Sequence, residues 1–324
     1  MKNLRIVFMG TPEFAVATLG SLLMNGFNVT CVVTAPDKPS GRGQKMTRSA
    51  VKEFAEFSHL PILQPENLRD PEFLNNLRNH QADVFVVVAF RMLPEDVWKM
   101  PEIGTINLHA SLLPHYRGAA PINHVIINGE STTGVTTFFI DDQIDTGNIL
   151  MRQEVRIYPV ENAGDLQNRL MKLGARLVIK TLGGIAGNTI TPIPQSQYLK
   201  PGEKPKLAPK IFPQDCVVNW DRDHIEVHNF IRGLAPNPCA RSFFSNESGT
   251  LSFKIFEGRS MSEVHSLTPG QIASDGKSFL KIACRNGFLD ILSIQIEGKK
   301  RMNTDEFLRG FDISGYQTIT TQPA

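Results

Sequence analysis

Four cysteines, Cys31, Cys216, Cys239 and Cys284, are scattered over 324 residues with no CxxC pair among them. That scatter supports neither a zinc knot nor a disulfide framework, and it suits a reduced cytosol. No apolar run approaches the roughly 20 residues needed to cross a bilayer. The N-terminus "MKNLRIVFMG" enters a strand-like segment directly, without the apolar stretch and small-residue cleavage site of a secretion signal. A cytoplasmic protein with no membrane partner is expected. The glycine fingerprints of nucleotide sites are missing as well. After the first apolar segment the turn reads "MGTPEF", where a dinucleotide site needs G-x-G-x-x-G, and no Walker loop appears. Neither Ser111 nor any cysteine lies in a GxSxG nucleophile elbow. His224 and His228 are one helical turn apart, but Glu226 falls one position late for a zincin. They read as a helix-surface pair, and no metal is expected.

What is present is ordinary in bulk and uneven in detail. Hydrophobic content of 41% and charge of 20% fit a globular chain whose length favours two domains. The net charge is only +2. Basic residues nevertheless cluster: Lys38, Arg42, Lys45 and Arg48 against Asp37, four lysines from Lys200 to Lys210 against Glu203, and Lys299, Lys300 and Arg301 in a row. Each cluster alone reads as a solvated surface; three of them make a polyanion partner worth considering.

Along the first half, strand and helix patterns alternate. Strands are expected at Leu4–Met9, Asn28–Thr34, Asp83–Phe90, Gly104–His109, Gly134–Ile140 and Gly147–Tyr158. Thr11 is a candidate cap and Pro12 suits the first position of a helix reaching Leu23. Ala35–Thr47, rich in Pro, Gly and charge, reads as a long loop. Further helices are expected near Ser49–His59, from Asp70 and Pro71, over Ala120–Asn128 and over Ala163–Gly184. The alternation implies a doubly wound α/β sheet over residues 1–188. Residues 189–208 are rich in Pro and Lys and read as a linker. Residues 209–324 read as a small β-rich domain with a helix at Asp221–Leu234, strands from Leu251 to Ile296, and a final helix capped by Asn303 and Glu306.

The chemistry concentrates at one strand end. In open α/β sheets ligands bind beyond the carboxyl ends of the strands. Asn107 and His109 occupy such an end, two residues apart and hence on one face. The apolar turn Ser111-Leu112-Leu113-Pro114 follows at once. Asp145, in "DDQIDTGNIL", precedes a Thr146-Gly147 turn suited to fixing its carboxylate. Asn donates to a carbonyl oxygen, His donates or relays a proton, and Asp orients the imidazole. With no activated nucleophile, the set points to direct transfer between bound substrates. Asn-x-His spacing is a weak signal by itself.

In order, "RIVFMGTPEFAV", "PDKPSGRGQK", "NLHASLLPHYRGAAPI", "DTG" and the late "GKK" make the sequence closely similar to the folate-dependent formyltransferases, and among them those that act on methionyl-tRNA. The resemblance covers nearly the whole chain. It implies a Rossmann-like formyltransferase domain followed by an OB-like barrel. It also implies 10-formyltetrahydrofolate as formyl donor and the amino group of initiator methionyl-tRNA as acceptor; a monomer without a metal is expected. On matching positions it implies that Asn107, His109 and Asp145 are catalytic. Phe90, Arg91 and Met92, Ser111 to Pro114, and Ile140 and Asp141 would line the folate site. Lys38, Arg42, Lys45, Lys206, Lys299 and Lys300 would meet tRNA. The prolines, glycines and mutually repelling basic residues around Arg42 lead to the expectation of a loop that is mobile until tRNA orders it. Two departures mark the sequence: Gln143 stands where many relatives have Gly, and the segment after Phe90 is one residue shorter than in many of them. Relatives that modify glycinamide ribonucleotide or sugar nucleotides, and a non-catalytic RNA-binding protein, are the alternatives. The basic clusters and second domain favour tRNA over the former, and the polar trio disfavours the latter.

Overall fold

Val84–Val88 is buried at every residue, as a wholly apolar strand must be if helices cover both faces of its sheet. The structure, a computed structural model, describes residues 4–40 and 45–319. The chain divides into two units, one of Met1–Gly118, Thr133–Val155 and Gln167–Leu207, the other of Ala119–Thr132, Arg156–Leu166 and Ala208–Ala324.

The first unit is a mixed seven-stranded sheet. Its chain region carries β1 (Arg5–Gly10), β2 (Asn28–Val33), β3 (Lys38–Ser40), β4 (Lys45–Thr47), β5 (Ile62–Leu63), β6 (Val84–Val88), β7 (Gly104–His109), β8 (Thr132–Phe139) and β9 (Ile149–Arg156). The helices up to residue 186 are α1 (Glu13–Met24), α2 (Ala50–Phe57), α3 (Pro71–Asn79), α4 (Glu95–Trp98), α5 (Pro121–Ile127, in the second unit) and α6 (Ala163–Ala186). The sheet order is β5-β2-β1-β6-β7-β8-β9. It is parallel as far as β7, and β8 then runs antiparallel to β7. Val7, Met9, Phe85 and Val87 pack with Phe73, Leu77 and Val97 on one face. On α6, a Cβ at Gly174 would stand 2.7 Å from the Leu108 side chain, so any larger residue would have to push Leu108 of β7 aside.

The stretch expected to be a loop, 35–47, contains a two-stranded ribbon, with Lys38 opposite Thr47 and Pro39 opposite Met46. Proline is tolerated there because the ribbon is all edge. At its base the Asp37 carboxylate accepts from Lys52 Nζ at 2.5 Å and from Gln64 at 2.9 Å, which holds its pKa below the usual carboxylate value. Arg42 lies outside the described residues. At α1 it is Pro12, in extended conformation, that takes the N-cap position, with no side-chain cap; Thr11 instead offers its carbonyl to Val51 N–H.

The second unit adds α7 (His224–Leu234), β10 (Ala240–Asn246), β11 (Gly249–Met261), β12 (Ile272–Ser274), β13 (Leu280–Cys284), β14 (Gly287–Ile296), β15 (Met302–Asn303), α8 (Thr304–Gly310) and β16 (Gln317–Ile319). The sheet order is β12-β13-β14-β11-β10-β16, with β15 on β14. Its two ends meet, because Thr318 N–H and hydroxyl both donate to the Gly270 carbonyl, two residues before β12. The sheet is thereby nearly closed around Trp220, Phe244, Phe253, Ile291 and Phe307. The final helix starts after Asn303 without the expected side-chain cap. α7 begins at His224, three residues later than expected, capped by Asp223. His224 is not on the surface as read from sequence: it is buried, with Nδ1 2.6 Å from Ser260 Oγ. His228 is enclosed enough that burial, with Arg232 nearby, drops its pKa to about 4.

Candidate active site

Register decides which residues share a face. Asn107 lies between Val87 on β6 and Phe138 on β8, and His109 lies opposite Thr136. The two-residue period then sets Asn107 and His109 side by side at the carboxyl end of β7, as their spacing predicts. Asn107 is half-buried, and its side-chain amide has no hydrogen-bond partner among the described residues.

His109 is buried and committed at one nitrogen. Its Nε2 lies 2.8 Å from the Tyr116 carbonyl oxygen. A carbonyl only accepts, so Nε2 carries a proton, and Nδ1 is the nitrogen whose proton can come and go. That Nδ1 faces Asp145 Oδ2 at 3.7 Å, too far for a direct hydrogen bond. The gap leaves Nδ1 free to address a substrate atom.

Asp145 adopts a left-handed backbone with φ +56°, and its Oδ2 accepts from Gly118 N–H at 2.9 Å. The turn is held differently from the sequence expectation. Thr146 donates its hydroxyl to Asp141 Oδ1 at 2.6 Å, not to Asp145. Gly147 is required: a Cβ there would sit 1.7 Å from the Phe139 carbonyl oxygen. Beneath the turn Gln195 donates to the carbonyls of Asp145 and Gly147, both at 2.9 Å. Arg117 in turn gives Nε and Nη2 to Gln195 Oε1 at 3.1 and 2.7 Å. Burial lowers the Arg117 pKa, while Asp145 and Asp141 oppose the shift. Gln195, Arg117 and Gly118 were missed by sequence reasoning; "RG" in "YRGAAP" was visible, but nothing marked Gln195 inside a proline-rich stretch.

The turn Ser111–Pro114 is pinned by its own polar atoms. Ser111 Oγ donates to the His115 carbonyl at 2.7 Å, and Thr136 Oγ1 bridges the Ser111 carbonyl and Leu113 N–H. Leu113 and Pro114 are buried, Leu113 in a small core with Phe138 and Ile149, and Leu112 is half-buried. After β6, Phe90 is partly buried against the core, and Arg91 donates to the carbonyls of Glu66 and Pro65. Met92 is 79% exposed, as is Ile144 at 64%. Ile140 returns to the core, and its N–H meets the Thr105 carbonyl. Gln143 is exposed.

The basic candidates are spread over both units. Lys38 is exposed on β3, and Lys45 begins β4. Lys206 is exposed in the first unit, where its carbonyl accepts Tyr116 N–H. In the second unit Lys299 and Lys300 are exposed, and Lys300 pairs with Glu306 at 3.0 Å. Among the described residues no group of three or more His, Cys, Asp or Glu is placed to hold a metal ion, and no helix is long and apolar enough to cross a membrane.

An α/β unit followed by a nearly closed antiparallel sheet is the domain order of a formyltransferase. The chain belongs to that family: residues 4–182 match the formyl transferase model and residues 210–312 match the formyl transferase C-terminal domain. It is 50% identical over 314 residues to the methionyl-tRNA formyltransferase of Bacteroides fragilis, covering 97% of each chain. It is 51% identical over 315 residues to the methionyl-tRNA formyltransferase of Flavobacterium johnsoniae, covering 97% of this chain and 98% of the other. In fold it is similar to the N-formyltransferase of Helicobacter canadensis crystallised with folinic acid and dTDP-3-aminofucose. That match has a TM-score of 0.63 at 21% identity and covers 92% of this chain and all of the other.

Proposed function

We propose that the chain transfers the formyl group of 10-formyltetrahydrofolate to the α-amino group of initiator methionyl-tRNA, as a cytoplasmic enzyme of translation initiation. Near-full-length identity of about one half to methionyl-tRNA formyltransferases supports the acceptor. The observation that carries the chemistry is the unpartnered Asn107 amide beside a His109 whose Nδ1 is uncommitted.

In this reading the neutral amine attacks the formyl carbon. Asn107 donates to the developing oxyanion, and His109, protonated at Nδ1, donates to it as well, with Asp145 stabilising the imidazolium. The tetrahedral intermediate then collapses with cleavage of the bond between the formyl carbon and the folate nitrogen; Asp145, whose Oδ2 alone is bound by Gly118, takes the proton lost by the amine, and that loss balances the proton gained by the departing tetrahydrofolate nitrogen. Tyr116 keeps the ring from rotating, since its carbonyl holds Nε2. The exposed apolar side chains of Met92 and Ile144, on loops after β6 and β8, suit a flat pterin that would cover them. Phe90, Arg91, Ile140 and Asp141 shape those two loops, and the Ser111–Pro114 turn frames the site. Lys38, Arg42, Lys45, Lys206, Lys299 and Lys300 are assigned to the tRNA backbone, where phosphate contacts supply affinity rather than specificity.

The test is one assay with 10-formyltetrahydrofolate and, in parallel, charged initiator tRNA, glycinamide ribonucleotide and water as acceptors. Formylation of the charged tRNA alone is expected. Faster turnover with glycinamide ribonucleotide, or release of formate to water, would replace the acceptor.

A further inference from the structure

Gln195 is separated from Asp145 by 50 residues, in a segment whose composition reads as a linker, yet it is only 4% exposed. Its amide is fully used: two N–H bonds go to the carbonyls of Asp145 and Gly147, and Oε1 receives two from Arg117. We infer that Gln195 is a positioning residue for formyl transfer, holding the 145–147 turn so that the Asp145 carboxylate faces His109. The inference rests on the catalytic reading of Asp145 given above.

Three observations converge on it. A buried primary amide is costly unless every hydrogen bond is made, so this one is placed for its bonds rather than its bulk. Asp145 has a left-handed backbone, which an L side chain keeps only where the surroundings over-determine it. The surroundings here form a closed ring of contacts. Gln195 holds the backbone of the turn, Arg117 holds Gln195, and Gly118, the next residue, holds the Asp145 carboxylate. Arg117 is partly desolvated, and its charge on Oε1 polarises the amide so that its N–H groups donate more strongly.

Gln195 reaches this place because the preceding chain is tied to the sheet. Ile193 and Ile149 exchange N–H to carbonyl bonds at 2.8 Å in both directions, and a short 3-10 turn over Gln195–Tyr198 then directs the side chain under the turn. All four of its side-chain bonds go to Arg117 and the backbone of the 145–147 turn, so it acts through Asp145.

The experiment is a double-mutant cycle on the full chain with 10-formyltetrahydrofolate and methionyl-tRNA, read as kcat and KM separately. Gln195→Ala is expected to lower kcat by on the order of 10- to 100-fold, the scale of a small misplacement of a reacting group. KM for both substrates should stay within about threefold. In an Asp145→Asn background the same substitution should cost less than about twofold in single-turnover rate, because the residue it positions is already disabled. Gln195→Glu keeps the volume and the Arg117 partner but loses both donors, and it should match Gln195→Ala in kcat. It also serves as the test if the alanine variant does not fold. Undiminished kcat in these variants while Asp145→Asn is crippled would overturn the inference alone. Multiplicative losses in the double variant would do the same. Asp145→Asn turning over at the wild-type rate would overturn the catalytic reading and this inference with it.

Discussion

His109 donates Nε2–H to the carbonyl oxygen of Tyr116, and Tyr116 presents that carbonyl from a left-handed backbone with φ +62°. The Tyr116 N–H is in turn bound by the Lys206 carbonyl, so the contact that fixes the imidazole is anchored from a segment 90 residues further on. A ring held at one nitrogen offers the other in a constant direction. This makes the two nitrogens of the imidazole unequal, Nε2 held by the backbone and Nδ1 not.

His109→Ala and Asn107→Ala are each expected to lower kcat by on the order of 10²–10³, the scale of losing one oxyanion donor. His109→Gln, which can still donate to Tyr116 but cannot carry the proton, should fall with His109→Ala. Folate binding, followed by equilibrium titration, should change far less, because these groups act mainly on the transition state. Either residue turning over at a near wild-type rate as alanine removes it from the mechanism.

Gly147→Ala should disable the enzyme without touching any polar group of the site. The new methyl group would lie 1.7 Å from a backbone oxygen, which cannot swing aside as a flexible side chain would. The turn must shift, and Asp145 with it. Loss of activity with the unfolding midpoint lowered by several degrees is the expected pair of results. A fully active Gly147→Ala would show that the turn tolerates a displaced Asp145.

Stability should fall on mild acidification, and His228 gives the direction. Its folded pKa is about 4, below the usual 6.5, because burial and Arg232 disfavour the imidazolium. The unfolded chain therefore binds more protons between these values. The stabilisation is complete above pH 6.5 and is lost as pH falls from there towards 4. His228→Gln, neutral throughout, should flatten the denaturation midpoint against pH over that window. An unchanged slope in the variant would assign the acid sensitivity to other groups.

Limited proteolysis probes the Pro- and Lys-rich stretch. Lys200 and Lys204 each precede proline, a bond that trypsin leaves intact, so Lys206–Leu207 and Lys210–Ile211 are the candidates there. Lys206 and Leu207 are paired in backbone with Tyr116 and Arg117. Early cleavage after Lys210, with Lys206 protected, is expected by mass spectrometry of the first fragments. Cutting at Lys206 first would mean that this pairing opens readily.

The strand end was legible because two short-range rules agree there. An apolar run announces the buried strand, and a two-residue spacing puts Asn107 and His109 on one face whatever the tertiary context. The same local rules found β6 and the helix carrying Gly174. They could not find Gln195, whose role depends on an Ile149–Ile193 pairing that no local pattern announces. They also misread the Ala35–Thr47 stretch, because Pro39 and the surrounding polar residues give no strand alternation, yet an isolated ribbon needs only a few backbone pairs. β10 was passed over because "ARSFFSN" has no clean period of two: Ser242, Phe243 and Phe244 are all buried in succession. His224 has the pattern of a surface residue because the partner that encloses it, Ser260, lies on a strand 36 residues away.

The bond between Gly270 and Thr318 joins the two margins of the second sheet. An open sheet would present rows of free N–H and C=O groups on both margins, the template on which a passing chain can add as another strand. Here the turn at Gly270 and the three-residue strand β16 bring the two margins together. Substituting Thr318 by proline removes both donors at once, and the variant should be recognised less by a lower activity than by light scattering at concentrations where the parent chain stays clear.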